Sequence, residues 1–418
     1  MSSCSRTRTK APRSARGHRN RGFSSSSAKI VADLDDVLIQ ILSLLSIKTL
    51  IRFKCVSKRW LSLITNPDFS NCVINSKHHP MTISGFFLHS SRAIKYSFVS
   101  LDDHDDAINQ KISSPLPFRF TDHPTDMIIM QSTNGLLLCR CSCAAASSNQ
   151  FNTNYYVYNP TTKQYTLLPQ ITGDISLSLA FDPCKSPHYK VFCLRGRRRN
   201  ISFPFHIEIE VYTSNEGPWK KLVSFPSSPS PFIEFNATVF WNGAVHWFAP
   251  NTRDCLSFDI NQEEIKILSL PNLDDEDEAL VYPSTLRFLD ESRGNLYFIE
   301  VNDQSSSNVS VYEMERNSSS WSVKYNVDLE PLAAAFPEMI RTIDYNNTRI
   351  YEFSIIGFVK QETDAETYIV LQIANKAVKY NFIDKTFKKL CDFNNDAPED
   401  EFYRFQKTFQ FIESLANV

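Results

Sequence analysis

Cys139, Cys141 and Cys143 are the densest grouping of potential metal ligands in this chain of 418 residues. On an extended strand the alternate spacing turns all three thiols to one face. A structural zinc site takes four ligands, usually from Cys-x(2–4)-Cys pairs. No fourth ligand accompanies these three in sequence, so buried thiols are the favoured account. Two charged runs could recognise a partner. Arg195, Arg197, Arg198 and Arg199 form a basic loop whose guanidinium forks suit an acidic or phosphorylated target, and Asp274 to Glu278 forms an acidic loop. Each also reads as a solvated loop, the blander account. His246 alternates with Val245 and Trp247 and should face the other side of a strand, with no second ligand beside it. The chain contains no His-Glu-x-x-His, Gly-x-Ser-x-Gly, Walker A or Gly-x-Gly-x-x-Gly pattern. Paired carboxylates on separate blades of a propeller hydrolase would escape a linear reading. The residues thus point to a non-catalytic protein with no cofactor and no metal.

Bulk properties narrow the partners. A formal charge of -2 gives no overall pull toward nucleic acid or membrane. A membrane span would need a run of about 18 apolar residues, which is absent. Ten scattered cysteines form no framework of spacings, which places the chain in a reducing compartment, nucleus or cytoplasm. Residues 1–28 are basic, serine-rich and free of acids, and read as a disordered tail. That pattern fits an organelle transit peptide or a dispersed nuclear import patch and lacks the apolar stretch of a secretory signal. The Asn-x-Ser/Thr triplets at Asn236, Asn308, Asn317 and Asn346 are accordingly read as accidental.

Two kinds of element must position whatever these residues do. In residues 29–75, Leu34, Val37, Leu38, Ile41, Leu42 and Leu45 recur at helical steps behind Asp33, a residue suited to capping. Ser46 is placed to cap a second helix carrying Leu50, Ile51 and Phe53, and Val56, Trp60, Leu61 and Ile64 mark a third. Asn66-Pro67-Asp68 is expected to end the run. A module of about forty residues cannot bury all this apolar surface by itself. Ile39, Leu44 and Ile47 are the surplus, to be covered by a partner or by the rest of the chain.

Residues 76–418 read as short strands. A strand ending in an aromatic, a polar turn and a second strand recur around Tyr158, Tyr212, Phe258, Tyr312 and Tyr380, with an earlier member at Tyr96. Steps of 62, 54, 46, 54 and 68 residues scatter about the roughly 50 residues of a Kelch-type propeller blade. Asn134-Gly135, Asn242-Gly243 and Arg293-Gly294 launch further apolar strands, and Phe405 to Ile412 has the alternation to pair with the first blade and close a ring. The expected fold is mainly β with a small α module: a three-helix unit followed by a propeller-like body of about six blades, with seven blades or an open sandwich as alternatives.

The stretch Leu38 to Ile64, followed by Asn66-Pro67 and Phe69, resembles the F-box of the plant F-box proteins that carry an F-box-associated domain. Within the body, QSTNGLLLC (131–139), YNPTTKQ (158–164), LAFDP (179–183), SPHYKV (186–191), FWNGAVHW (240–247) and AFPEM (335–339) resemble landmarks of that domain. The chain departs from the family at two Leu-Pro steps, where it has Asp33-Leu34 and Leu45-Ser46. The resemblance implies that Leu38, Ile41, Leu42, Leu45, Ile47, Leu50, Phe53, Val56 and Trp60 dock on a Skp-type adaptor and through it a cullin. The β-body would then hold a protein substrate, making the chain the recognition subunit of an SCF-type ubiquitin ligase. The alternative is a propeller interaction scaffold with a degenerate F-box.

Overall fold

The structure, a computed structural model, describes residues 35–74, 81–89, 96–101, 127–144, 151–171, 175–197, 205–227, 237–248, 254–271, 286–301, 306–343, 348–393 and 407–418. The basic tail, Asp33 with Leu34, and the acidic run Asp274 to Glu278 lie outside the described residues.

Four short helices come first: α1 (Asp35–Leu42), α2 (Ile47–Phe53), α3 (Lys58–Thr65) and α4 (Pro67–Ile74). Ser46 Oγ accepts from Thr49 N at 3.3 Å and Ser57 Oγ from Trp60 N at 3.1 Å, so the starts of α2 and α3 each have a bonded amide. The expected stop at Pro67 is instead a start. At the first helical position proline loses no hydrogen bond and its φ is already helical. Asn66 Oδ1 completes the start by accepting Asp68 N at 2.9 Å. Leu38, Leu42, Leu50, Ile64, Phe69 and Val73 form the module's core.

The rest of the chain is antiparallel sheet. Residues 83–100 give β1 (Ile83–His89) and β2 (Tyr96–Ser100). The second blade holds β3 (Met127–Thr133), β4 (Leu136–Ala144), β5 (Phe151–Asn159) and β6 (Gln164–Leu167). The third holds β7 (Ile175–Ala180), β8 (Lys190–Arg197), β9 (Phe205–Thr213) and β10 (Lys220–Ser227). The fourth holds β11 (Ala237–Trp241), β12 (Ala244–Phe248), β13 (Asp254–Asp259) and β14 (Glu264–Ser269). The fifth holds β15 (Leu286–Ser292), β16 (Asn295–Val301), β17 (Asn308–Met314) and β18 (Ser322–Asp328). Helix α5 (Glu330–Ala335) and a hairpin of β19 (Ile340–Ile343) and β20 (Thr348–Tyr351) intervene, which accounts for the long step between the anchors Tyr312 and Tyr380. The sixth blade holds β21 (Ser354–Val359), β22 (Tyr368–Ile373), β23 (Lys376–Tyr380) and β24 (Phe387–Asp392), and β25 (Lys407–Ile412) ends the strand count.

These strands make a six-bladed β-propeller of one three-stranded and five four-stranded sheets. The ring closes through β25, which pairs with β1 in the register Phe87 to Phe409 and takes the innermost place in the first blade, beside β3 and β21. The aromatic anchors Tyr158, Tyr212, Phe258, Tyr312 and Tyr380 all sit in third strands and are buried. Each sheet is sandwiched between two others, so strands such as β12 and β22 are buried at every residue instead of alternating.

Tryptophan indoles tie neighbouring blades. Trp219 Nε1 donates to Pro169 O at 3.0 Å, Trp247 to Ser178 Oγ at 2.7 Å, Trp241 to Gly294 O at 2.8 Å and Trp321 to Ser269 O at 2.9 Å. A large apolar ring with one donor at its edge suits a blade interface, where packing dominates and stray carbonyls need partners. Cys139 and Cys141 face the interface around Phe87 and Phe411, and burial raises the Cys139 thiol above its usual range. His246 is buried on the opposite face from Val245 and Trp247, against the ring of Trp241 at 5.7 Å.

Candidate adaptor-docking and axial sites

The helical module shows what its own packing leaves over. Leu38, Leu42 and Leu50 are in its core, and Leu45, Ile47, Phe53 and Trp60 are half-buried against that core. Of the residues implied in docking, Ile41 and Val56 are exposed, at 45% and 59%. Ile39 and Ile47, read as surplus from sequence, rest on the core, while Leu44 is 60% exposed and Leu61 43%. Leu61 was hidden from sequence reasoning because it shares helix α3 with the core residue Ile64 and follows Trp60 directly. Ten large apolar side chains are exposed among the described residues, and Ile41, Leu44, Val56 and Leu61 place four of them within this one small unit. Each is already about half covered, so covering the remainder of one is worth about 1 kcal/mol.

The propeller covers a different part of the module. Leu415, just past β25, completes the core around Leu42 and Leu50, and Lys48 Nζ lies 3.1 Å from Glu413. The following residues run onto the propeller: Asn159 Nδ2 donates to Ser414 O at 3.1 Å and Ala416 O at 2.8 Å, and Ala416 enters the core between the second and third blades. Gly135 is required here, because a Cβ on it would collide with Ser414. The C-terminal segment therefore seals the inner side of the module and leaves the four apolar side chains outward.

A second feature lies where the innermost strands end. A cavity of about 290 Å³ opens there at the propeller axis, and every blade contributes to its wall. Asn134, Asp182, Trp241, Arg293, Lys360 and Gln410 represent the six blades. Asn134 Nδ2 donates to Phe181 O at 2.7 Å and Asn242 Nδ2 to Arg316 O at 2.9 Å, so the turn asparagines brace the mouth. Gln410 Nε2 crosses to Asp290 Oδ2 at 2.8 Å and Glu291 O at 2.9 Å, and burial pushes the Asp290 carboxyl up to about 7. Sequence reasoning missed this site because its residues come from turns about fifty residues apart.

The arginine loop lies elsewhere. Arg195 is in β8 and its Nη2 is 3.3 Å from Glu210 Oε2 across the sheet, both side chains being mostly buried. The register from Ala180–Lys190 to Ile175–Arg195 puts it at the far end of β8 from the axial mouth. Arg197 ends the strand, and Arg198 and Arg199 lie outside the described residues. Among the described residues no three His, Cys, Asp or Glu side chains come together as a metal site.

Comparison with known proteins agrees with this division. Residues 35–71 match the model of the F-box domain, and residues 83–370 match that of the F-box associated beta propeller domain. The F-box protein At5g07610 of Arabidopsis thaliana is 75% identical over 100% of both chains. A second Arabidopsis thaliana relative, F-box protein At5g49610, is 29% identical over 72% of this chain and 81% of that one. Among solved structures, the nidogen/laminin complex aligns at 10% identity with a TM-score of 0.38, over 79% of this chain and 99% of that chain.

Proposed function

Because this chain belongs to the F-box proteins with an F-box-associated β-propeller domain, we propose that it is the substrate-recognition subunit of an SCF-type ubiquitin ligase. Its module docks on a Skp-type adaptor, the adaptor links it to a cullin, and the propeller holds the protein to be modified. The chemistry of ubiquitin transfer belongs to other subunits.

The observation that carries this reading is the outward set Ile41, Leu44, Val56 and Leu61 on a module whose inner side is already closed by Leu415. A unit that had lost its partner would have no physical reason to keep four large apolar side chains in water. Ser46, which stands where the family has proline, supports the same reading. Its cap on Thr49 N supplies by hydrogen bonding the ordered helix start that proline supplies by ring geometry. The described cysteines are all free, which suits action in the nucleus or cytoplasm.

Co-expression of the full chain with a Skp-type adaptor tests the proposal. The two should co-purify, and Leu44→Asp combined with Leu61→Asp should abolish capture without altering thermal unfolding of the propeller. A soluble, folded chain that fails to hold the adaptor would leave a propeller scaffold with a degenerate F-box.

A further inference from the structure

No residue of the helical module lines the axial mouth, which is built from charged groups that are unequally committed. Its carboxylates are engaged from within: Asp182 Oδ1 accepts Cys184 N at 3.1 Å, and the half-buried Glu291 accepts Gly294 N at 2.5 Å. Its cations are loosely held, Lys185 and Arg316 exposed and the Arg293 side chain 29% exposed. Lys185 is 64% exposed with Nζ 3.5 Å from Asp182 Oδ2, and Arg293 Nη2 lies 3.6 Å from Glu362, itself 73% exposed. Arg316, also exposed, donates Nε to Gly294 O at 3.0 Å, which leaves its Nη groups over the mouth. Lys360 is turned away toward Asp364 and the Tyr325 hydroxyl and does not count. Formal charges here balance, Lys185, Arg293 and Arg316 against Asp182, Glu291 and Glu362, but the two ion pairs among them are long, and two of the three cations are guanidinium forks suited to carboxylate or phosphate.

Backbone conformation adds a second argument. The first residue of each tight inner turn has a positive φ: 46° at Asn134, 51° at Asn242 and 51° at Arg293. Asparagine adopts this region readily, whereas for arginine it is uncommon. The fifth blade thus carries an arginine in an unfavourable conformation at the one such turn that brings a guanidinium to the mouth.

The shape indicates what kind of anion enters. The mouth continues into a groove of about 710 Å³ over the sixth blade, the two sharing Thr82, Arg293 and Gln361. Along that groove lie polar side chains such as Asn381 and Thr386, with Lys379 Nζ 4.0 Å from the centre of the Tyr368 ring. A free anion would need the mouth alone. A socket for one side chain joined to a longer polar groove fits an extended peptide. We propose that the axial mouth receives an acidic or phosphorylated side chain of the target protein, with the flanking target residues extended in the groove over the sixth blade. This deepens the receptor reading and rests on it.

The test uses the full chain and an array of degenerate peptides fixed at their centre as Glu, phosphoserine, Gln or Lys. Glu and phosphoserine centres should be retained over Gln and Lys. Arg293→Glu with Arg316→Glu should weaken their retention about tenfold or more, the size expected for losing charge-assisted hydrogen bonds. Should that pair fail to fold, Arg293→Gln and Lys185→Gln singly should each give a smaller loss in the same direction. No preference for acidic centres, or a preference unchanged in folded variants, overturns the proposal. Inorganic phosphate is titrated separately. Binding as tight as that of the phosphoserine peptides would assign the mouth to a free anion and overturn the peptide. Adaptor co-purification is scored on the same samples: its absence overturns the ligase reading alone, and an indifferent mouth with the adaptor bound overturns this proposal alone.

Discussion

Asn159 and Ser414, 255 residues apart, are joined by a buried clamp between the end of β5 and the segment after β25. The Asn159 amide donates to the carbonyls of Ser414 and Ala416, and its own carbonyl accepts Thr161 N at 2.9 Å and Thr162 N at 3.2 Å. Ser414 N answers by donating to Thr161 Oγ1 at 3.2 Å. Between the two clamped carbonyls sits Leu415, the side chain that enters the F-box core. The Tyr-Asn-Pro stretch of the second blade therefore fixes the strap by which the propeller carries its F-box.

Asn159→Ala should release that strap without opening the ring. Two buried carbonyls and two part-buried amides would lose their partners. Each unsatisfied buried group costs about 1–3 kcal/mol, partly recovered by water or relaxation, so a loss of about 2–4 kcal/mol is expected locally. Hydrogen exchange should accelerate at Leu415 and through α1 and α2, while β16 and β22 keep their protection. Unchanged exchange in the helices would show that the module stays docked without the clamp.

Two truncations separate the tasks of the C-terminal segment. Ending the chain after Ile412 removes Glu413 and Leu415 but leaves β25 paired with β1, so the ring should stay closed, with the second and third blades loosened by the loss of Ser414 and Ala416, while the F-box helices lose protection. Ending it before Lys407 removes the innermost strand of the first blade and exposes the edge of β1. An open ring with an unpaired apolar edge should aggregate on expression. Equal solubility of the two truncated chains would contradict the closure described.

Within the F-box, Leu50 and Leu44 should behave oppositely. Leu50 is fully buried, so Leu50→Ala should cost about 2–5 kcal/mol of module stability and weaken adaptor binding only indirectly. Leu44→Ala, at a site 60% exposed, should leave stability within about 0.5 kcal/mol and weaken adaptor binding directly. Denaturation followed by far-ultraviolet circular dichroism, set beside adaptor affinity, gives both quantities for each variant.

Much of this architecture was legible because local signals repeat. The aromatic anchors mark the third strand of each blade, and the Asn-Gly turns mark the step from first strand to second. What escaped reading depends on distant contacts. Nothing local shows that Asn159 holds residues 414–416, since its motif looks like an ordinary turn. Ile47 reads as surplus because periodicity ranks residues on a helix without showing what packs above them; in the fold it rests on the core that Leu415 completes. Pro67 reads as a stop, yet a residue that ends one helix also begins another well. The axial mouth, assembled from all six blades, has no linear signature at all.

His246 gives the propeller a defined weakness toward acid. Its side chain is 3% exposed, Nε2 lies 3.4 Å from Trp241 O, and Nδ1 has no hydrogen-bond partner. Burial penalises the charged imidazolium and lowers the pKa to about 4, against the ordinary value of 6.5. The unfolded chain therefore takes up a proton below about pH 6.5 that the folded chain refuses until about pH 4. Stability contributed by the neutral ring is complete above pH 6.5 and declines as the pH falls through that window. The shift corresponds to a loss on the order of 3 kcal/mol by the acid end. His246→Leu removes the titration and keeps an apolar side chain in the blade interface. Carboxylates titrate in both proteins, so the informative quantity is the difference between the urea midpoints of wild type and variant. That difference should shift in favour of the leucine variant between pH 7.5 and pH 4.5. A difference independent of pH would show that the imidazole is hydrated or already charged in the folded blade.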